Sequence, residues 1–226
     1  MKKLLLLSAL LIFACSSDDS SDNDDNNNNN NTFICDGAPY QSIVYGTQEW
    51  TVENACHTTY RDGTPIPHYS GENSVTMSNL TTGAWCYYDN DPTKYKIYNW
   101  FAVAGIHDND PNTPNKEFAP EGWHVPTDAE WTTLKNHLIA NGYNYDSTTT
   151  GNKIAKSMSS TTDWLNPTDV LVDTGEIIEP GAPGINQSLN NSSGFNAFPE
   201  GVRDHNAGEF WGEGFEWLFW TSTDEY

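Results

Sequence analysis

The densest cluster of polar and aromatic side chains lies in the carboxyl-terminal part of the chain. Arg203, Asp204 and His205 come shortly before two tryptophans, Trp211 and Trp217. Aromatic rings stack on the apolar C–H faces of sugars, and charged or amide groups hydrogen-bond their hydroxyls. The alternative is that most of these rings fill the core. Because Gly212 follows Trp211 and Glu216 precedes Trp217, we expect these two to be exposed. The five residues are therefore predicted to form a glycan-type ligand site.

Two loop segments contain hard oxygen ligands of the kind that bind calcium. They are Asp89-Asn90-Asp91 and residues 108–110. Carboxylate and amide oxygens are preferred by Ca²⁺, but neither segment continues with the glycine and glutamate of an EF-hand loop. Asn and Asp also favour tight turns, and a proline follows each triplet. Two interpretations stay open: a Ca²⁺ site at Asp89, Asn90 and Asp91, or turn formation with no cofactor.

His124 and Glu130 have residue types suited to acid/base chemistry. However, Thr127 and Glu130 also have the spacing of a helix capping box, which is the favoured interpretation. The sequence has no Ser/His/Asp signature, no phosphate-binding glycine loop and no basic patch. We therefore predict that the protein is not an enzyme and has no catalytic residues.

The amino-terminal residues indicate export. Two lysines precede an apolar stretch over residues 4–14, which is too short to cross a bilayer as a stable helix and is typical of a signal peptide. Ala14-Cys15 resembles the bacterial lipobox, in which the cysteine is acylated and becomes the new amino terminus. Cys15 is thus the predicted lipidation site and residues 1–14 the signal peptide. The alternative is an ordinary secretory signal with an incidental cysteine.

The segment after Cys15 is predicted to be a disordered tether over residues 15–32. Ser, Asp and Asn dominate it, so it cannot bury enough apolar surface to offset the entropy of ordering. Its acidic start resembles signals that send Bacteroidetes-type lipoproteins to the outer face of the outer membrane. The formal charge of −21 excludes nucleic acid as a partner. The expected partners are the membrane, through the lipid anchor, and a glycan.

Three cysteines remain for the folded part, residues 33–226, which has the length of one domain. An odd number in an oxidising compartment indicates one disulfide and one leftover thiol. Cys56 and Cys86 both lie within the core region, whereas Cys35 lies beside the tether. We therefore predict a Cys56–Cys86 disulfide.

Short elements separated by long loops are expected to position these residues. The patterns predict a hairpin over residues 42–52, helices over 94–104, 128–141 and 152–158, a buried strand over 215–221, and loop-rich segments over 60–84 and 165–194. Together with nine tryptophans, this indicates an α+β fold with two or three short helices, short strands and ordered loops packed by aromatic rings.

Several segments resemble the Fibrobacter succinogenes major paralogous domain. They are YGTQEWTVEN at 45–54, GAWCYYDND at 83–91, YNWFAV at 98–103, PEGWHVPTDAEW at 120–131, SGFNAFPEGVR at 193–203 and FWTST at 219–223. They follow the order of the family and cover about residues 43–226. The resemblance implies a C-type-lectin-like fold related to formylglycine-generating enzymes, in cell-surface lipoproteins.

The chain departs from the family pattern at two places. Ala119 stands where relatives usually have a cysteine, and the closing strand near the carboxyl terminus is missing after residue 226. The resemblance then implies an unpaired sheet edge beside Phe219 and Trp220. Formylglycine-generating enzymes use cysteines near the carboxyl terminus, and none follows Cys86 here.

Three functions are weighed. The preferred one is a non-catalytic surface lipoprotein that binds a glycan or another extracellular polymer. The alternatives are an enzyme on a formylglycine-generating-like fold and a structural envelope protein without a soluble ligand.

Overall fold

The structure, a computed structural model, describes residues 40–70, 79–167, 180–204 and 208–223, together with the backbone of four short strands before residue 40. The strands are β1 (Leu6–Leu7), β2 (Ala14–Ser16), β3 (Ile34–Cys35), β4 (Ala38–Pro39), β5 (Ser42–Tyr45), β6 (Gln48–Thr51), β7 (Trp85–Tyr87), β8 (Lys96–Tyr98), β9 (Glu200–Arg203) and β10 (Phe210–Glu213). The α-helices are α1 (Trp100–Val103), α2 (Asp128–Ala140) and α3 (Ala155–Met158). The predicted α+β class is confirmed.

The largest sheet has five strands in the order β10-β9-β1-β8-β7. Each neighbouring pair is antiparallel. Because β1 is antiparallel to both β8 and β9, these two strands run in the same direction. The connection between β7 and β8, the start of β9 and the end of β10 therefore meet at one end of the sheet.

The predicted hairpin is confirmed as β5 and β6. Ser42 pairs with Thr51 and Tyr45 with Gln48, so the turn consists of Gly46 and Thr47. Gly46 has a φ of +65°, a conformation that glycine adopts without steric cost. The short strand β2 adds to the outer edge of β6.

Helix α2 begins as its sequence predicts. The Thr127 side chain accepts a hydrogen bond from the Glu130 amide, and the Glu130 side chain accepts one from the Thr127 amide. This capping box satisfies amides that the first turn leaves without intrahelical partners. Leu134 and Leu138 are buried on one face of the helix.

Three predicted elements differ from the structure. The helix expected over residues 94–104 is strand β8 followed by the single turn α1, since Ile97 pairs with Cys86 in the sheet. The helix expected over 152–158 is shortened to α3. The strand expected over residues 215–221 is wrong: this segment has no regular structure, so the unpaired edge expected beside it is absent there.

Aromatic packing joins the elements into two main cores. One core lies between the sheet and α1 and includes Tyr60, Trp85, Tyr98 and Phe118. The second lies under α2 and includes Trp50, Leu134, Leu138 and Phe195, with Trp131, Trp217 and Phe219 packed against it. Trp131 stacks on Phe219 with ring centroids 4.9 Å apart and an interplanar angle of 20°. These rings hold the irregular carboxyl-terminal segment onto the helix.

The predicted Cys56–Cys86 disulfide is wrong. Cys86 is a free, buried thiol on β7, packed with Tyr88 and Ile97. Cys56 is disulfide-bonded, and the side chains of Cys15 and Cys35 lie outside the described residues. A position in the core does not by itself favour disulfide formation, since a buried cysteine also packs as a small apolar side chain.

Within the part of the chain that the structure describes, no helix is long and apolar enough to cross a membrane. Most of the predicted signal peptide and tether lies outside the described residues.

Candidate functional site

An open cavity of about 350 Å³ lies at the end of the large sheet. Its volume is within the usual range for small-ligand sites. Four chain segments contribute to it: the β7–β8 connection, the residues after α3, the start of β9 and the end of β10. The lining residues are Tyr88, Lys94, Tyr95, Asp163, Leu165, Phe198, Pro199, Glu200, Glu213 and Gly214. Aromatic rings and three carboxyl groups thus face one space.

The β7–β8 connection turns sharply before it reaches the cavity. Asp89 and Asn90 have φ values of +52° and +57°, a left-handed conformation that Asp and Asn tolerate. Asp91 then accepts hydrogen bonds from the amide and hydroxyl of Thr93, at 2.9 and 2.8 Å. These turns bring Lys94 back beside Asp89, with 3.2 Å between the ammonium and the carboxylate.

Lys94 links this connection to β10 by an ion pair. Its Nζ lies 2.7 Å from the Glu213 carboxylate and 4.8 Å from the centre of the Tyr88 ring. The hydrogen bond to Glu213 raises the pKa of Lys94, so the ammonium stays charged. Because both partners are partly exposed, this ion pair mainly fixes the geometry of the cavity and contributes little to folding.

Tyr95 presents the most exposed ring of the cavity. Its side chain is 43% exposed, and its ring lies 5.8 Å from that of Phe198 at an angle of 34°. Burial of part of the side chain, together with repulsion from Glu200 and Asp163, raises the pKa of Tyr95 to about 12. The phenol is therefore a neutral hydrogen-bonding group at all physiological pH values.

Of the five predicted ligand residues, Trp211 has the placement expected. It is 46% exposed on β10. Trp211 and Glu213 are two residues apart on one strand, so they share a face. Trp211 does not itself line the cavity, which includes Glu213 and Gly214 of the same segment.

Arg203 is buried and is not placed to bind a ligand, whereas Trp217 is half-buried and lines a second cavity, of about 400 Å³, beside α2. Arg203 is 2% exposed, with its guanidinium 4.7 Å from the Phe210 ring and its Nε donating to the Gly208 carbonyl. Trp217 packs against Phe219 and donates to Ser159 Oγ at 3.1 Å. The prediction for Arg203 was wrong because its guanidinium is buried against Phe210 and the Gly208 carbonyl. The ligand role of Trp217 stays a prediction.

The other two predicted residues follow Arg203 directly. Asp204 is half-buried, and its amide donates to the Glu209 carbonyl at the base of a loop. His205 lies outside the described residues.

The structure explains Asp89, Asn90 and Asp91 as turn residues. Asp89 forms an ion pair with Lys94, and one carboxylate oxygen of Asp91 accepts a hydrogen bond from the Thr93 amide. Among the described residues, no group of three or more His, Cys, Asp or Glu side chains could hold a metal ion. The calcium interpretation therefore has no support from the geometry.

Glu130 and His124 are in contact, at 2.7 Å between Glu130 Oε1 and His124 Nε2. Burial opposes ionisation of Glu130, but hydrogen bonds from Thr127 and His124 outweigh it and lower the pKa of the carboxyl. A carboxylate held ionised by a helix cap is a weak proton acceptor, which agrees with its structural role.

Sequence reasoning missed most residues of the cavity. Tyr95, Phe198 and Glu200 come from two distant segments, and their proximity depends on the strand order of the sheet. Glu200 lies in the segment 193–203 that resembles the family, whereas Glu213 lies in no segment to which the sequence assigned an element. Their register, with Glu200 opposite Glu213, is visible only in the fold.

A family model described as the Fibrobacter succinogenes major domain matches residues 43–226. The chain belongs to this family. The resemblance drawn from the sequence motifs is thereby confirmed, and every residue that lines the cavity lies inside the Fibrobacter succinogenes major domain. Searches among curated proteins and among solved structures found no match.

Proposed function

We propose that this protein is a non-catalytic lipoprotein of the outer membrane whose domain at the cell surface binds a glycan in the cavity at the end of the sheet. One observation supports this most directly. The exposed ring of Tyr95 lies in an open cavity together with the carboxyl groups of Asp163, Glu200 and Glu213.

The chemistry of the lining favours a neutral sugar over other ligands. The rings of Tyr95 and Phe198 offer apolar faces for sugar C–H groups, and the carboxylates accept hydrogen bonds from hydroxyls. Lys94 is already paired with Glu213 and Asp89. The lining therefore has excess negative charge, which disfavours phosphate, sulfate and uronic acid groups.

The proposed attachment at the cell surface rests on the amino-terminal sequence. Cys15 is the proposed acylated residue, and the acidic and Asn-rich segment after it is the proposed spacer. Such a spacer keeps a binding domain away from the bilayer, where it can reach extracellular polymers. Cells fed a labelled fatty acid should label the protein, and the Cys15→Ser variant should stay unlabelled.

The binding proposal is tested with a panel of immobilised neutral polysaccharides and the full-length chain. The Tyr95→Ala variant should lose at least about tenfold in affinity for the polysaccharide that binds, because it removes the exposed ring of the cavity. Tyr145→Ala is the matched control: this ring is 40% exposed but lies outside the cavity, so binding should be unchanged.

Equal binding by both variants would place the glycan elsewhere on the protein. Failure of the whole panel to bind would instead favour a structural envelope protein, which should copurify only with other surface proteins.

A catalytic function has one observation in its favour. Glu200 and Glu213 are paired across β9 and β10 and both line the cavity. Two carboxyl groups that face one sugar are the usual requirement of glycoside hydrolysis. Incubation of the bound polysaccharide with the protein should release no reducing ends. Release that is abolished by Glu200→Gln would replace the binding proposal with a hydrolase.

A further inference from the structure

The second cavity, of about 400 Å³, lies between helix α2, the residues around the start of α3 and the irregular segment 217–221. We call it the α2 cavity, and the cavity at the end of the large sheet the sheet cavity. The two share no lining residue. Trp217, Leu218 and Phe219 are three consecutive apolar residues, yet each is only half-buried where it lines the α2 cavity. Apolar surface that folding leaves exposed in one patch is typical of a binding site.

Three half-buried aromatic rings line the α2 cavity and are stacked on one another. Trp131 and Phe219 have ring centroids 4.9 Å apart at an angle of 20°, and Trp217 and Phe219 have centroids 4.8 Å apart at 35°. Rings at this spacing are in contact, so no ligand group fits between them. They therefore do not form a cage around a cation, and instead offer the cavity a continuous apolar surface.

Polar side chains surround this apolar surface. Four of them line the cavity and make no hydrogen bond or ion pair within the part of the chain that the structure describes: Asp128, Thr132, Lys135 and Asn152. They supply a carboxylate, a hydroxyl, an ammonium and an amide, so donors and acceptors are both available to a ligand. The single negative charge and the single positive charge balance, which favours a neutral ligand with several hydrogen-bonding groups.

We propose that the α2 cavity is a second sugar-binding site for the same neutral glycan, an inference that rests on the proposed function for the identity of the ligand. A pyranose has an apolar C–H face that stacks on aromatic rings and a rim of hydroxyls that pair with polar side chains. A wholly apolar ligand would cover the rings but would also remove water from the four rim side chains without replacing its hydrogen bonds.

The two sites are close together and differ in strength. Gly214 lines the sheet cavity and Trp217 lines the α2 cavity. Because only three residues separate them, their Cα atoms are at most about 11 Å apart. The sheet cavity has three carboxyl groups, whereas the α2 cavity has one. Hydrogen bonds to ionised groups are the stronger ones, so the α2 cavity is the weaker site.

The test uses the full-length chain with Cys15→Ser, which prevents lipid attachment, and with ¹⁵N in the tryptophan side chains. The probes are cello-, xylo-, manno- and malto-oligosaccharides. The indole N–H signal of Trp217 is identified by its loss in Trp217→Phe. With a sugar that binds, this signal should shift at concentrations above those that saturate the sheet cavity. It should still shift in the Tyr95→Ala chain, in which the sheet cavity has lost its exposed ring.

A matched pair of variants assigns the shift to the α2 cavity without disturbing the core. Asn152 lines the cavity, whereas Asn136 is exposed on α2 outside it. In the Tyr95→Ala chain, Asn152→Ala should weaken sugar binding at Trp217 by about threefold or more, because one hydrogen bond is lost. Asn136→Ala should leave this affinity unchanged.

A Trp217 signal that stays unshifted with every oligosaccharide would overturn the second site. If the Tyr95 region still responded to a sugar, the proposed function would stand. In the converse case, a Trp217 shift together with binding that is insensitive to Tyr95→Ala would remove the sheet cavity and keep the α2 cavity. Equal sugar affinities of the two asparagine variants at Trp217 would contradict the proposal. A Trp217 shift with N-acetyl-phenylalanine amide but with no sugar would assign the cavity to peptides instead.

Discussion

At the scale of single residues, burial determines which titratable groups stay neutral. His57 lies with its ring centroid 4.3 Å from that of Phe118 and 5.9 Å from that of Tyr98. Desolvation at this site lowers the pKa of His57 to about 3 from 6.5. Below pH 6.5 the unfolded chain therefore binds a proton that the folded chain does not. The stability associated with neutral His57 is complete above pH 6.5 and falls as the pH drops toward 3.

The first prediction concerns this histidine. Protonation of His57 in the unfolded chain should lower the free energy of unfolding by about 1.4 kcal/mol for each pH unit between pH 6 and 4. The replacement His57→Leu should remove this contribution. Urea unfolding of the parent and the variant at several pH values measures the difference in slope. Parallel curves for the two proteins would show that His57 is protonated equally in the folded and unfolded states.

The contrast between Trp211 and Trp217 shows where residue-level prediction fails. Trp211 is followed by Gly212 and Trp217 is preceded by Glu216, yet Trp211 is exposed on a strand and Trp217 packs against Phe219. The difference comes from contacts with the α2 core, which are distant in sequence. Neighbouring residue types alone do not distinguish the two environments.

At the scale of elements, the sequence predicted correctly those elements whose determining residues are close together in the chain. The β5–β6 hairpin and helix α2 follow from a glycine turn and a capping box, each contained within a few residues. In contrast, residues 94–104 have helical spacing, but Lys96–Tyr98 forms a strand because it pairs with β7. Tertiary pairing here overrides a weak helical preference.

The second prediction concerns helix α2. Leu138 is fully buried in the second core, so Leu138→Ala should destabilise the protein by about 2–5 kcal/mol through loss of apolar contacts and the cavity left behind. Asn136→Ala, at an exposed position of the same helix, is the control and should be neutral or slightly stabilising. Chemical denaturation measures both. A similar effect of the two replacements would contradict the assigned orientation of the helix.

At the scale of the whole molecule, a buried thiol reports on the folded state. Burial raises the pKa of Cys86, although Arg203 opposes this increase. Since the thiolate is the reactive form and Cys86 is almost fully buried, its reaction with thiol reagents requires opening of the sheet.

The third prediction follows from this burial. In the native protein, the Cys86 thiol should react at least about a hundredfold more slowly than it does in denaturant, as expected for a site that opens only by unfolding. A Cys86→Ala variant identifies the signal that belongs to this residue. Fast reaction of Cys86 in the native protein would mean that β7 is accessible to solvent.

The family and the α+β class were predictable from sequence because the motifs and local patterns are contiguous in the chain. The cavity was not, since it depends on four segments that meet at one end of a sheet. Trp211 was the one predicted ligand residue that the fold places on the face shared with Glu213. The remaining cavity residues became apparent only from strand order and register.

The most direct test of the glycan proposal is chemical-shift mapping of the isotope-labelled protein during titration with oligosaccharides from the polysaccharide panel. The proposal predicts that the shifts concentrate on residues 88–95, 163–165, 198–200 and 211–214, and that Tyr95→Ala removes them. Shifts confined to other regions, or none with any oligosaccharide, would contradict the assignment of this cavity as the binding site.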